Sequence, residues 1–390
     1  MAQTFARVSQ QTAGYKLMGG LERCGRCRFF LKNNLCARVI GDVSPSAWCR
    51  FFSMEARAAM DAGGGYGHGR GGIPTPPTQD ASFMTALPAG FTYACASATT
   101  NLLWTDPAGT TITDYAINAP RFLANGLLCE GTRINRLLNS ATPASHTTAS
   151  VPLGSYAAWC NGSGSMALAA GTAVGTGFGT ATQGNKLNID ITTAGTVVAT
   201  VTGTLFAIQM ELASAAEVYA PSSFIKTTGA AVTRAATVVS SGQPTGFNLA
   251  QCTYVVEYLP INAKASSARV MEMVGTIPAN DWERISGASI TSLRGWTGSG
   301  ALSQSNITSG AAVNEGVVHK AGYTASVGSA IVSVDGAAAV SAGQALRPVD
   351  LINLYLMSNN TSTVPTFGYL RRFRYWPVAA TATQLQQVTT

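Results

Sequence analysis

From about residue 80 onward, apolar and small polar residues alternate along short segments interrupted by Gly, Asn and Asp. Asn188–Thr193 (NIDITT), Thr196–Thr202 (TVVATVT), Thr253–Leu259 (TYVVEYL), Ala330–Val334 (AIVSV) and Leu351–Met357 (LINLYLM) all follow this pattern. A period of two sends successive side chains to opposite faces of a strand, so each segment has one face for a core and one for water. Short strands with closely spaced turn signals build antiparallel sandwiches. Between two strand-like runs, Asp335–Gly336 has the chemistry of a type I′ hairpin turn. Composition agrees: 41 of 390 residues are Gly, only 11% are charged, and long runs of helix formers are missing. Helix is expected at Pro45–Met60, where Ser53 can cap MEARAAM, and near Ala382–Val388.

The glycine- and proline-rich stretch Ala62–Pro77 (AGGGYGHGRGGIPTPP) buries no core and reads as a linker, flexible and then stiff. The expected organisation is a small domain over 1–60, a linker over 61–79, and sandwiches beyond. Residues 151–212 are dense in small residues and short strands and read as a compact jelly roll of their own. The flanking segments carry larger, more aromatic strands. They suggest an outer sandwich from 80–140 plus 236–390, into which 141–235 is inserted. The fold class is therefore mainly β: a small cysteine-ligated metal domain followed by tandem antiparallel β-sandwich (jelly-roll) domains.

The net charge of +7 is concentrated at one end, since residues 1–60 hold nine Lys/Arg against three Asp/Glu. That patch suits charge compensation for thiolates better than nucleic-acid binding, and the rest is nearly neutral. No apolar run reaches the ~20 residues of a membrane span, and the N-terminus has no signal-peptide core. Synthesis in the cytosol is expected, where thiols stay reduced, which argues against a disulfide framework for the eight cysteines. Cys95, Cys129, Cys160 and Cys252, scattered singly among strand residues, read as small buried hydrophobes.

The other four cysteines form a constellation. Cys24, Cys27, Cys36 and Cys49 are spaced C-x2-C-x8-C-x12-C, and four thiolates close a tetrahedral shell around zinc or a four-iron cluster. Phe29, Phe30, Trp48, Phe51 and Phe52 crowd these positions. A dry aromatic wall suits a cluster, whose potential depends on excluding water, more than a structural zinc. The pairing of Cys-x-x-Cys with a following aromatic residue, a lone central Cys, and a final Trp-Cys after a Val-Ser turn resembles the high-potential iron–sulfur proteins. The resemblance implies a [4Fe–4S] cluster held by Cys24, Cys27, Cys36 and Cys49, with Trp48 and the phenylalanines as its shell. Zinc is the alternative cofactor.

Catalytic material is sparse. His68, His146 and His319 are far apart, and Asp281, Glu283 and Glu315 fall in no motif and read as solvated loop residues. The run GTAVGTGFGT lacks the Lys-Ser/Thr ending of a phosphate loop and reads as turns. Trp104, Trp159, Trp282 and Trp296 lie in or beside expected loops, where an exposed ring can stack on a sugar, and Trp282 and Trp296 are the candidates for glycan contact.

Three blocks resemble tailed-bacteriophage virion proteins. They are Pro120-Arg-Phe through Gly126-Leu-Leu-Cys-Glu130 and Arg133-Ile-Asn-Arg-Leu-Leu138; Gly229-Ala-Ala-Val-Thr-Arg-Ala-Ala236; and Tyr369-Leu-Arg-Arg-Phe-Arg-Tyr-Trp-Pro377 with Thr383-Gln-Leu-Gln386. The resemblance implies a concanavalin A-like, lectin-type sandwich carrying an inserted carbohydrate-binding-like module, in a virion protein made in the host cytoplasm. It further implies a non-enzymatic fibre, decoration or adhesion protein, homo-oligomeric, anchored to other virion proteins through the N-terminal domain and facing host-surface glycans. An electron-transfer protein and a secreted polysaccharide-binding protein are the rival readings.

Overall fold

The computed structural model divides the chain into two units, Met1–Arg70 and Gly71–Thr390. It describes the backbone of 30–31 and 35–36 in the first. In the second it describes 73, 75–104, 112–212, 221–262, 269–276, 282–289, 292–299, 302–308, 313–342, 350–361 and 366–390. In the first unit, Phe30–Leu31 pairs antiparallel with Leu35–Cys36, placing Phe30 opposite Cys36. The helix expected at Pro45–Met60 lies outside the described residues.

The second unit is mainly β and antiparallel. A seven-stranded sheet runs, edge to edge, through Leu302–Thr308, Ser292–Ser299, Trp282–Ser289, Arg269–Val274, Asn353–Leu356, Val238–Gly242 and Phe91–Ala94. An eight-stranded sheet has Gln251–Asn262 and Phe367–Trp376 at its centre, with His319–Ser326 and Ser329–Val334 on one side and Gly126–Cys129 on the other. The alternation in the sequence explains their packing. Tyr254, Val256 and Tyr258 of the second sheet and Met271, Met273, Leu354 and Leu356 of the first share one buried core, where Phe91 meets Phe373 edge-on at 6.2 Å. Each such side chain contributes about 1.5–3 kcal/mol by leaving water. Every predicted strand segment overlaps a strand here.

The Asp335–Gly336 turn has the expected left-handed pair of residues, φ 50° and 70°, closed by Ala337 N–H donating to the Val334 carbonyl at 2.8 Å. Asp335 also accepts from Lys320 N–H at 2.7 Å and lies 2.6 Å from His319 Nδ1, which ties the turn to the neighbouring strand.

Between Cys129 and Val238 the chain builds a separate eight-stranded sheet dominated by two long neighbours, Gly154–Ala170 and Val197–Leu212. The compact module expected at 151–212 is present but consists of one continuous sheet, where a two-sheet jelly roll was expected. Its long strands carry a bulge at Asn161/Gly162, and a bulge bends and twists a strand. Both halves thereby contribute to one core, from Tyr156, Ala158 and Cys160 through Met166 and Leu168.

The C-terminal helix Ala382–Thr389 falls where the sequence predicts it, opened by Thr381 in a capping box with Gln384. Leu385 and Thr389 rest over Gly322, where a Cβ would lie 2.9 Å from Leu385 Cδ1 and 2.6 Å from Thr389 Cγ2. Gly322→Val is therefore expected to lift the helix at a cost of about 1–3 kcal/mol. Loss of amide protection at Leu385–Thr389 in hydrogen exchange, with central-strand protection retained, is the readout.

Candidate functional site

Two polar assemblies stand out against a chain with so little charge. The first is fully buried. Between the two-sheet sandwich and the separate sheet of 133–234 runs a coil, residues 222–227, buried except at Lys226 and outside any strand. Buried backbone N–H groups need acceptors, and side chains supply them. Ser222 N–H donates to Glu211 Oε1 at 2.5 Å, Ser223 N–H to Glu130 Oε1 at 2.6 Å, Ile225 N–H to Gln209 Oε1 at 2.7 Å and Thr227 N–H to Ser140 Oγ at 2.8 Å.

Glu130 is the hub. Its Oε2 lies 2.5 Å from Arg121 Nη2 and 3.0 Å from Arg234 Nη1, all three residues being buried. Ser223 Oγ donates to Glu130 Oε2 at 2.7 Å and accepts from Arg121 Nη1 at 2.8 Å and Arg234 Nη1 at 3.0 Å. Burial pushes the Glu130 carboxyl up, but Arg234 and Arg121 pull harder and hold it at about 2. Glu211, 3.6 Å from Arg133, goes the other way, because its desolvation outweighs Arg133 and Ser222. Arg121, Glu130, Arg133 and Arg234 belong to the blocks that carry the virion-protein resemblance. Here they form a clamp between two packed elements.

The second assembly lies on the seven-stranded sheet. Register aligns one row across all its strands: Thr92, Ser240, Tyr355, Glu272, Arg284, Trp296 and Asn306. The adjacent row, Tyr93, Val239, Leu356, Met271, Ile285, Gly295 and Ile307, is the core row, so the polar row occupies the opposite face. Thr92 and Ser240 hydroxyls meet there at 2.9 Å. Glu272 accepts from Arg269 Nε at 3.4 Å and from Asn360 N–H at 3.3 Å, and lies 3.9 Å from Arg284 Nη1. This centre is half enclosed, the Glu272 and Arg284 side chains being 7% and 16% exposed.

Trp282 and Trp296 prove to be strand residues, not loop residues, on neighbouring strands and the same face: Trp296 pairs with Arg284, two positions along from the Trp282–Gly298 pair. Trp104 is partly buried, with Lys186 Nζ 5.6 Å from its ring, and Trp159 is core, packed on Phe224. Of the metal-ligand candidates, Cys36 sits on the short hairpin opposite Phe30. Cys24, Cys27, Cys49, Phe29, Trp48, Phe51 and Phe52 lie outside the described residues, as does Asp281. Glu315 is exposed, as expected. Glu283 overturns the loop expectation: it is buried in its strand, accepting from Tyr254 O–H at 3.2 Å and Cys252 S–H at 3.4 Å. The alternation shows why, since Ile285 two residues later is core and Glu283 shares its face. Cys95, Cys129, Cys160 and Cys252 are buried thiols.

No protein-family model and no curated protein matches the chain. Among solved structures it is similar to the CBM40 domain of the Ruminococcus gnavus IT-sialidase bound to α2,3-sialyllactose, at 16% identity over 39% of this chain and 93% of that one, with a TM-score of 0.33. It is also similar to domain 4 of a GH43 extracellular arabinanase from Geobacillus stearothermophilus in complex with arabinotriose (14% identity, 40% and 73% covered, TM-score 0.33). A heptameric SAP-like pentraxin from Limulus polyphemus gives 12% identity, 36% and 70% covered, and a TM-score of 0.29. Likeness at this level carries neither a ligand nor a site over to this chain.

Proposed function

We propose that the protein is a non-catalytic glycan-binding protein whose contact surface is the polar face of the seven-stranded sheet. The observation that carries the reading is the single register-aligned row in which Tyr355 and Trp296 flank Glu272 and Arg284, with Asn306 beyond. A pyranose has C–H-rich faces and a hydroxylated rim, so it asks for aromatic rings interleaved with planar hydrogen-bonding groups. Among the described strand positions of this face, Glu272 is the only carboxylate. Glycoside hydrolysis ordinarily uses a pair, which favours binding over cleavage. Full-length protein on a broad glycan array tests the reading. Trp296→Ala should weaken the best hit about tenfold, with melting temperature measured alongside as a fold control. A silent array would reduce the sandwiches to spacers.

The setting we propose is the virion, with residues 1–60 docking on other virion proteins, the chain self-associating, and Cys24, Cys27, Cys36 and Cys49 holding an iron–sulfur cluster or zinc. The hairpin that returns Cys36 to Phe30, three residues beyond Cys27, supports a shared centre. When bound, the metal would supply the cross-link that ~60 residues need to be stable. Visible absorbance with iron, sulfide and zinc analysis on anaerobically purified protein distinguishes the two centres, and protein free of all three elements sinks the proposal.

A further inference from the structure

We infer that Asn360 is a specificity-determining residue of the glycan-binding face and selects sugars with a free pair of adjacent hydroxyls. The inference rests on the glycan-binding reading above and adds which part of the sugar is recognised. It starts from one backbone angle. Among the described residues, those other than glycine with positive φ are Asn118, Asn139, Asp335 and Met357. Asn and Asp tolerate the left-handed region, whereas Met enters it only under constraint. Met357, at φ 57° and fully buried, is held there from both sides: its N–H donates to the Val270 carbonyl at 2.9 Å, and its carbonyl accepts from Thr366 N–H at 2.8 Å. Thr366 Oγ1 in turn donates to the Arg269 carbonyl at 2.7 Å.

Arg269 and Val270 open Arg269–Val274, the strand that carries Glu272. The root of the turn is therefore tied to the centre of the polar face, and backbone strain of this kind gathers where a fold fixes a functional group. What the turn delivers is Asn360, three residues on, whose N–H reaches Glu272 Oε2 at 3.3 Å. Asn360 is half-buried, and its carboxamide makes no hydrogen bond to the described residues. A carboxamide holds an acceptor oxygen beside a donor nitrogen. Adjacent sugar hydroxyls match it as a pair, one donating to the oxygen and the other accepting from the nitrogen. Tyr355, the register partner of Glu272 on the same face, offers a ring to the C–H side of the sugar.

The full chain is to be titrated with 1,4-linked galactan, mannan and xylan, whose in-chain rings keep two adjacent hydroxyls free, and with 1,3-linked glucan, whose in-chain rings keep none adjacent. At least one of the first three should bind about tenfold or more tightly than the glucan, because a site built to bond a hydroxyl pair rejects a ring that lacks it. Asn360→Ala should erase that preference with the melting temperature unchanged, and Asn360→Gln should retain part of it. The polymer comparison on unaltered protein needs no variant to fold. Glucan binding as tightly as the other three overturns the inference while leaving the glycan-binding face in place. A preference that survives Asn360→Ala overturns the assignment to Asn360. Failure of every polysaccharide to bind removes both readings.

Discussion

Glu130→Gln should lower the melting temperature of the Gly71–Thr390 unit by roughly 4–8 °C, the consequence of about 3–5 kcal/mol lost when one partner of a buried ion cluster is removed. The substitution conserves volume, so the effect is electrostatic. A glutamine oxygen can still accept from Ser223 N–H, but its NH2 then faces the donors that Glu130 Oε2 now receives from Arg121, Arg234 and Ser223 Oγ. Two buried guanidiniums would lose their counter-charge. Replacing Arg121, Glu130 and Arg234 together with Met, Leu and Met should cost less than the single change, because no buried charge is stranded. The pH profile supplies a second readout. Glu130 titrates at about 2 in the fold and at about 4.3 when unfolded, so its stabilisation is full above roughly pH 4.3 and drains away as pH falls toward 2. Glu211, raised in the fold, acts with the opposite sign: its contribution is largest in acid and is lost as pH rises. The melting-temperature gap between wild type and Glu130→Gln should therefore close across pH 4.3 to 2, because the variant lacks only the Glu130 titration. A gap that persists unchanged to pH 2 would mean that Glu130 is not the clamp.

What could be read in advance, and what could not, follows from the range of the interactions. Thr253–Leu259 announces its strand, and Asp335–Gly336 its turn, because period and turn chemistry are written in adjacent residues. The capping box at Thr381 and Gln384 is local in the same way. Glu283 shows how a residue type misleads when its parity is ignored: a carboxylate suggests solvent, yet two residues from Ile285 it shares the core face. Trp282 follows the turn-like Asn280-Asp281 and Trp296 stands between Gly295 and Gly298, which suggests loops, whereas pairing puts both inside strands. The clamp was least accessible. Arg121 and Glu130 are nine residues apart, but the Ser223 that completes the group lies 93 residues beyond Glu130. Its one local sign is a glutamate directly after the apolar run Leu127-Leu-Cys129 in a chain with 11% charge. The polar row of the seven-stranded sheet was equally hidden, since register between strands as distant as Phe91–Ala94 and Asn353–Leu356 is set by tertiary pairing, not by any one segment.

A hinge point for the same clamp is Gly126, and Gly126→Ala is expected to destabilise the unit by about 4 kcal/mol. Two costs combine. The backbone there has φ +122°, where an L side chain is strained by about 1–3 kcal/mol, and a Cβ would stand 2.5 Å from the Leu370 carbonyl oxygen. That oxygen belongs to the backbone of Phe367–Trp376, a central strand already paired with Leu127 through Leu370. It cannot swing aside as a side-chain tip would, so the overlap adds a further 1–3 kcal/mol or so. Gly242→Ala, with open space around the new carbon, should stay within about 0.5 kcal/mol and serves as the control. The strand pushed away at Gly126 ends at Cys129, and the next residue is Glu130. Displacement there shifts the carboxylate relative to Ser223 and both arginines. Gly126→Ala and Glu130→Gln should therefore couple, the double variant losing less in chemical denaturation than the two single losses added together. Strict additivity would mean that the turn at Gly126 and the buried clamp act independently, and that the clamp is positioned from the inserted sheet alone.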